Sequence, residues 1–513
     1  MPEGEVNLCL NGQTINGKIT IGSGATLTLT DCIGSGRVQG EVTVNGGKFE
    51  LYSGTITGGV QVGIKGGTYQ TGSSFTMYGG EITGNKAGSG GGGVFLVGTT
   101  NQTDPPRFTM HGGTISDNTA GASDGGGGGV YVGEKCSFTM DGGAITGNKA
   151  TAGNGGGIYI HFNAGTVSIS NATITGNKAS ATGNTSYGHG GGIYSERGVT
   201  VENVTITGNN STFEGGGIYG KGAITLTDAT VTDNSQYDVY YDGRESNTPE
   251  LTISGSVKAG YYANEAWKLP ILVSGALRED SVIRVGVREG INLGAIAEPA
   301  SGVTLSAENF KADAADCVTS LGDDGKVYLV PCTHEMDDTG YTCKKCHTQF
   351  DARVGDSAYY QTLTKAFDAA RGNTVTLLRD VTLAGNCSSS YTYSATLDLN
   401  GKTVSSERYY ISVGGGNKPR TLTVKDSGTG GGTQALDVTF YVSSNGTLAV
   451  GDSYTGKISR VELQAGGALE RFGGEIGELV LSNAAAGSTS TGYNLKLWNG
   501  NTNACTIGKI TDS

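Results

Sequence analysis

The stretch FTMDGGAITGN, residues 138–148, decides the fold, because the chain keeps rewriting it. Ungapped copies read FTMYGGEITGN at 75–85, FTMHGGTISDN at 108–118, VSISNATITGN at 167–177, VTVENVTITGN at 199–209 and ITLTDATVTDN at 224–234. Successive starts are 33, 30, 29, 32 and 25 residues apart. Apolar and polar residues alternate within each copy, which is the period of a half-buried strand. The first and third columns, such as Phe75 with Met77 and Val199 with Val201, therefore point inward. The threonine column between them, from Thr76 to Thr225, points outward. A second inward site follows at Ile82, Ile115, Ile145, Ile174, Ile206 and Val231. LCLNGQTIN at 8–16, LTLTDCIGS at 27–35 and FELYSGTITGG at 49–59 fit the same template upstream, and LTISGSV at 251–257 continues it.

Between copies the chain inserts a variable stretch, then a glycine run, then an apolar residue and an aromatic one. TGNKATAGNGGGIYI at 146–160 shows the pattern. The variable part (86–89, 151–154, 180–187) is expected to leave the coil as a loop. Glycines bring it back, because tight bends and close backbone approach suit a residue without Cβ. Val94, Val130, Ile158, Ile193 and Ile218 then re-enter the core as a third strand. A unit of about 30 residues cannot bury its face alone, whereas stacked copies build a continuous core. The expected fold class is all-β: a right-handed parallel β-helix, a solenoid of about ten coils at roughly 4.8 Å each. Asn85, Asn118, Asn148, Asn177, Asn209 and Asn234 share one turn position and are expected to form a ladder of side-chain amides.

GGAI at 142–145 and ITGN at 145–148 resemble the GGA[ILV] and FxxN motifs of chlamydial polymorphic outer-membrane proteins, with Ile in place of Phe and no membrane barrel following. The repeats are also similar to those of pectin-lyase-like, adhesin-like surface proteins of gut Firmicutes. The likeness covers residues 8–234 best. It implies a secreted or cell-surface bacterial protein, a rigid stalk presenting loops. Because pectin-lyase-like folds also host lyases and glycosidases, it leaves a polysaccharide-active enzyme as the alternative.

Composition narrows the partners. The 513 residues include 90 glycines, and the formal charge is −12 with no basic stripe, so no nucleic-acid partner is expected. No run of eighteen apolar residues exists to span a membrane. The expected partners are an extracellular polysaccharide or a host glycoprotein, bound by a monomer that is extracellular or attached to the cell wall.

Four regions follow. Residues 1–245 carry the repeats, and 246–330 lose them and read as a closing β segment. Residues 331–350 contain CTHEMDDTGYTCKKCH, in which Cys332, His334, Cys343 and Cys346 have the spacing of a small zinc-ribbon-like module. Structural zinc is the expected cofactor, with a pair of disulfides or free thiols as the alternative and His347 as a competing ligand. Residues 351–513 read as a second β-helix. It opens with a capping helix whose apolar side is Leu363, Ala366, Phe367 and Ala370, and LDLNGKTV at 397–404 echoes LCLNGQTI at 8–15. Since residue 1 falls inside a coil already under way, the chain is expected to be a segment of a longer protein.

Two surface sites stand out. In the fourth column of the repeat, neighbouring coils place Tyr78, His111 and Asp141 side by side. His111 and Asp141 are the best candidate catalytic dyad, weighed against unrelated solvent-facing side chains; Glu202 with Asp228 is a weaker carboxylate pair. Phe95, Tyr131, Tyr159, Tyr194 and Tyr219 follow the third-strand residues and alternate outward as an aromatic ribbon. The ribbon either binds glycan by stacking or lies beneath the loops and stabilises them. Paired threonines such as Thr173 and Thr175 suggest an ice-binding array, but Glu81 and Ala144 interrupt it.

Overall fold

The structure, a computed structural model, describes residues 3–63, 70–88, 90–99, 102–121, 125–181, 187–242, 251–263, 271–287, 294–313, 317–356, 358–388, 393–428, 436–451, 453–464, 466–471, 474–482, 494–496 and 506–512. The chain divides into two compact units, Met1–Pro331 and Cys332–Ser513.

The first unit is a parallel β-helix. Each copy of the repeat pairs with the next in the alignment read from sequence: Phe75 faces Phe108, Phe108 faces Phe138, and Phe138 faces Val167. A second ladder stacks Ile82, Ile115, Ile145, Ile174, Ile206 and Val231. A third stacks Val94, Val130, Ile158, Ile193 and Ile218. Apart from the half-buried Val167, these inward residues are fully buried, each stabilising the coil by about 1.5–3 kcal/mol relative to exposure. Phe49, Phe75, Phe108 and Phe138 stack within the core at 4.9, 4.7 and 5.1 Å between centroids.

One alignment needs correction. Leu8 pairs with Leu29, and it is Val6 that faces Leu27, so the first coil starts two residues earlier than the LCLNGQTIN reading. A two-residue shift keeps every side chain on its face, so the alternating pattern alone does not distinguish the two registers. The turn decides: Leu10 is buried, and Asn11 and Gly12 take positive φ of 49° and 75° immediately after it.

The glycine runs have a steric cause. Gly128 lies so close to the next coil that a Cβ would fall 2.3 Å from the carbonyl oxygen of Gly156. Gly127, Gly155, Gly190 and Gly215 repeat a φ of 65–70°, which β-carbon sterics disfavour. Beside them a short five-stranded sheet begins at Lys86–Ala87 and continues through Thr119–Ala120, Lys149–Ala150, Lys178–Ala179 and Asn210–Ser211.

The asparagines form the expected ladder. Asn85 donates its Nδ2 and backbone N–H to Oδ1 of Asn118 at 2.6 and 3.1 Å. The pattern repeats through Asn148, Asn177, Asn209 and Asn234. Asn234 donates both groups to Oδ1 of Asp238. A carboxylate is an acceptor only, so it terminates a row of amides that all donate in one direction. Asp238 is itself buried, and Arg284 reaches its other oxygen at 3.2 Å.

The boundary expected at 245 and 246 lies outside the described residues. Beyond it Ile224 faces Leu251, as the LTISGSV copy implies, and the coils then continue although the repeat has gone: Ile271 faces Ala297, and Ile283 faces Phe310. The antiparallel hairpin of Cys317–Leu321 and Val327–Pro331 then pairs with Ala295–Pro299 and covers the sheet end, as an exposed strand edge requires.

The second unit holds the Cys/His segment and two further sheets, one parallel and one parallel except where Ala352–Val354 pairs antiparallel with both its neighbours. Its helix, Leu363–Ala370, buries the four residues expected, and the Thr362 hydroxyl caps it by accepting from the Lys365 N–H at 3.3 Å. The echo between the units is structural as well. Asn400 and Gly401 have φ of 49° and 73°, and Gly401 N–H donates to Asp426 at 2.8 Å as Gly12 N–H donates to Asp31 at 2.7 Å.

Candidate functional site

The four residues picked by spacing converge. Ligand atoms of Cys332, His334, Cys343 and Cys346 all lie within 4.8 Å of one another. Sγ of Cys332 is 3.7 Å from Sγ of Cys343, and Sγ of Cys346 is 3.6 Å from Nδ1 of His334. Tetrahedral thiolate coordination at about 2.3 Å per bond puts ligand atoms roughly 3.8 Å apart, so the cluster is of a size to hold a metal ion. The imidazole of His334 packs edge-on against the buried ring of Phe350, 4.7 Å away. Burial pushes the Cys332 thiol up to about 12, reinforced by the thiols of Cys343 and Cys346. Burial acts the same way on Cys343, but hydrogen bonds from the Cys346 backbone, His334 and the Glu335 and Lys345 backbone outweigh it and bring that thiol down to about 6. One thiol is thereby prepared as a thiolate, the form that binds metal. His347 is not part of the cluster; it stands at a φ of 55°.

The aromatic ribbon exists, but it is not open. Tyr131, Tyr159, Tyr194 and Tyr219 stack at 5.0, 5.2 and 5.2 Å, and Tyr240 extends the row at 5.4 Å. The rings face away from the main core and form a separate apolar cluster. Tyr159, Tyr194 and Tyr219 are only 5, 3 and 4% exposed. Phe95 and Tyr131 are half-buried, and Phe95 is tilted 54° against Tyr131. The returning glycines press on the rings: a Cβ on Gly90 or Gly125 would come 2.8 Å from the ring of Tyr131. Of the two readings of the ribbon, this burial favours the structural stack at Tyr159, Tyr194 and Tyr219. The hydroxyls are held too: Tyr219 donates to Asp242, and burial raises the phenol pKa of Tyr159, Tyr194 and Tyr219.

The open aromatic surface is on another face. Tyr52 and Tyr78 are 45 and 43% exposed and stack at 4.4 Å. His111 continues the row 5.1 Å from Tyr78. Nδ1 of His111 lies 2.8 and 2.9 Å from the two carboxylate oxygens of Asp141. Sequence reading found Tyr78, His111 and Asp141 but passed over Tyr52, which stands in the same column one coil earlier. As chemistry, the His111–Asp141 pair is a base held by a carboxylate, in the open. Glu202 and Asp228 do not pair: Glu202 faces Thr227, and Asp228 accepts from Ser256 N–H at 2.9 Å. Among the described residues no helix is long and apolar enough to cross a membrane. Comparison of the chain with protein-family models and with curated proteins finds no match.

Proposed function

We propose that this chain is an adhesin-like, β-helical surface protein of a bacterium, extracellular or attached to the cell wall, and that it binds glycan on an extracellular polysaccharide or host glycoprotein. The resemblance to adhesin-like repeat proteins supplies the class. The observation that carries the binding reading is the strip of Tyr52, Tyr78 and His111, which ends on Asp141. Tyrosines with one apolar body and one polar tip are suited to an interface that is partly wet, and a strip on a stacked sheet is held rigid, so little ordering entropy opposes binding. The Cys/His cluster enters this reading as a structural zinc site, because four soft or imidazole ligands leave no open position for catalysis.

A glycan array probed with the purified chain tests the reading. Wild type should bind a subset of glycans, and Tyr52→Ala with Tyr78→Ala should lose that binding while circular dichroism stays unchanged. Retention of binding by the double variant would remove the strip from the account. The enzyme alternative makes a different demand: release of product from a polysaccharide, abolished by His111→Ala or Asp141→Asn.

A further inference from the structure

Two stacks of the first unit begin at the same coil. The asparagine ladder starts at Asn85, and the five-stranded sheet starts at Lys86–Ala87. One coil earlier the sequence is ITGG at 56–59, so Gly59 stands where the ladder would have its next asparagine, and Gln61 faces Phe95 in the aromatic column. A pocket of about 260 Å³ occupies this step, lined among others by Gly58, Gly59, Gln61, Asn85, Lys86 and Phe95.

The later coils display the chemistry this step lacks. Oδ1 of Asn118 accepts two bonds from Asn85, and the N–H groups of Thr119 and Gly121 donate to the carbonyls of Asn85 and Ala87. By register, the equivalent groups of the first member are Oδ1 of Asn85 and the N–H groups of Lys86 and Gly88. Oδ1 of Asn85 is buried and has no hydrogen-bond partner, in a residue only 4% exposed. An unmet buried acceptor is costly. The far end of the same ladder is closed by Asp238, so only this end calls for a donor.

We propose that this step binds an extended peptide segment of a partner protein carrying a carboxamide side chain. The peptide adds a parallel strand to the Lys86–Ala87 edge, its carbonyls accepting from Lys86 and Gly88 N–H. Its Asn or Gln side chain donates to Oδ1 of Asn85. Strand addition at a sheet edge is an established mode of peptide recognition, and here the register and the side chain are both prescribed by the coils that follow. A carboxylate side chain is excluded, because it has no donor to offer. This inference uses residues apart from the Tyr52 strip and does not depend on the glycan reading.

The test uses a fluorescein-labelled peptide ITGNKA, the sequence of residues 145–150, and its ITGDKA counterpart, followed by anisotropy against the full chain. ITGNKA should bind saturably, and ITGDKA should bind at least roughly tenfold more weakly, the equivalent of one hydrogen bond. Gly59→Asn supplies the missing amide from within: a Cβ there lies 3.9 Å from Cγ of Asn85 with no closer contact than 3.5 Å, and Asn tolerates the φ of 79°. That variant should lose the peptide, and Asn85→Ala, which removes the acceptor, should lose it independently. No binding of ITGNKA, or equal binding of both peptides, or unchanged binding by both variants, overturns the proposal. So does displacement of the peptide by a simple hexose at comparable concentration, which would mark the step as a sugar pocket.

Discussion

Replacing Asn148 by Ala in the middle of the ladder should cost far more than replacing Asn85 by Ala at its start, although the two are the same substitution. Asn148 is fully buried. Its Oδ1 accepts from the backbone N–H and Nδ2 of Asn118 at 3.0 and 2.9 Å, and its Nδ2 reaches the carbonyl of Ile115 at 2.9 Å and Oδ1 of Asn177 at 2.9 Å. Truncation leaves two donors on Asn118 and the Ile115 carbonyl without these partners. At about 1–3 kcal/mol for each unsatisfied group, the loss comes to roughly 3–9 kcal/mol, the lower end applying if water enters the space. Asn85 differs: its Oδ1 already has no partner, and its one ladder bond from Nδ2 goes to an Asn118 oxygen that keeps the Asn85 backbone N–H. The Asn85→Ala cost should stay near about 1 kcal/mol. Urea titration followed by circular dichroism measures both, with calorimetry separating the transitions of the two units. Equal destabilisation by the two variants would refute the argument, because it would mean the ladder bonds add nothing beyond the volume of the side chain.

Ile145→Asp places a charge in a core position with no exposure and should destabilise the first unit by several kcal/mol, about the cost of an unpaired buried polar group or more; thermal melting unchanged from wild type would contradict the register. Zinc should copurify at about one ion per chain, and Cys343→Ser should release it, as read by metal analysis; oxidised Cys332, Cys343 and Cys346 in a thiol titration with no metal would favour disulfides. In the second unit, Asp398 is buried and its carboxyl is held below the ordinary value: burial opposes ionisation, but Ser427, the Asn400 N–H and Lys425 outweigh it. A depressed carboxyl stabilises the fold above its unfolded pKa and loses that contribution as pH falls through the lower, folded value. Stability of the second unit should therefore drop below about pH 4, and Asp398→Asn should flatten that drop when melting is followed between neutral and acidic pH.

The period-two alternation, the repeat spacing and the recurring asparagines by themselves determined the coil, its inward residues and the ladder. Each of these depends on local chemistry: which side chain can face a core, and which amide can reach its own copy one coil away. Four ligand-type residues at zinc-ribbon spacing likewise named their cluster, because short loops leave little choice of geometry. The continuation of the coils beyond the LTISGSV copy was illegible, since Ile271 and Ile283 are core residues with no repeat to mark them. Burial of the tyrosine ribbon was also a tertiary matter. Alternation states that Tyr159 leaves the coil, but only the path of the returning glycine loop decides whether solvent meets it. The step at Gly59 shows the same division. The sequence displays a glycine in an asparagine column, and only the stacked neighbours show that an acceptor, two donors and a cavity are left facing the same place.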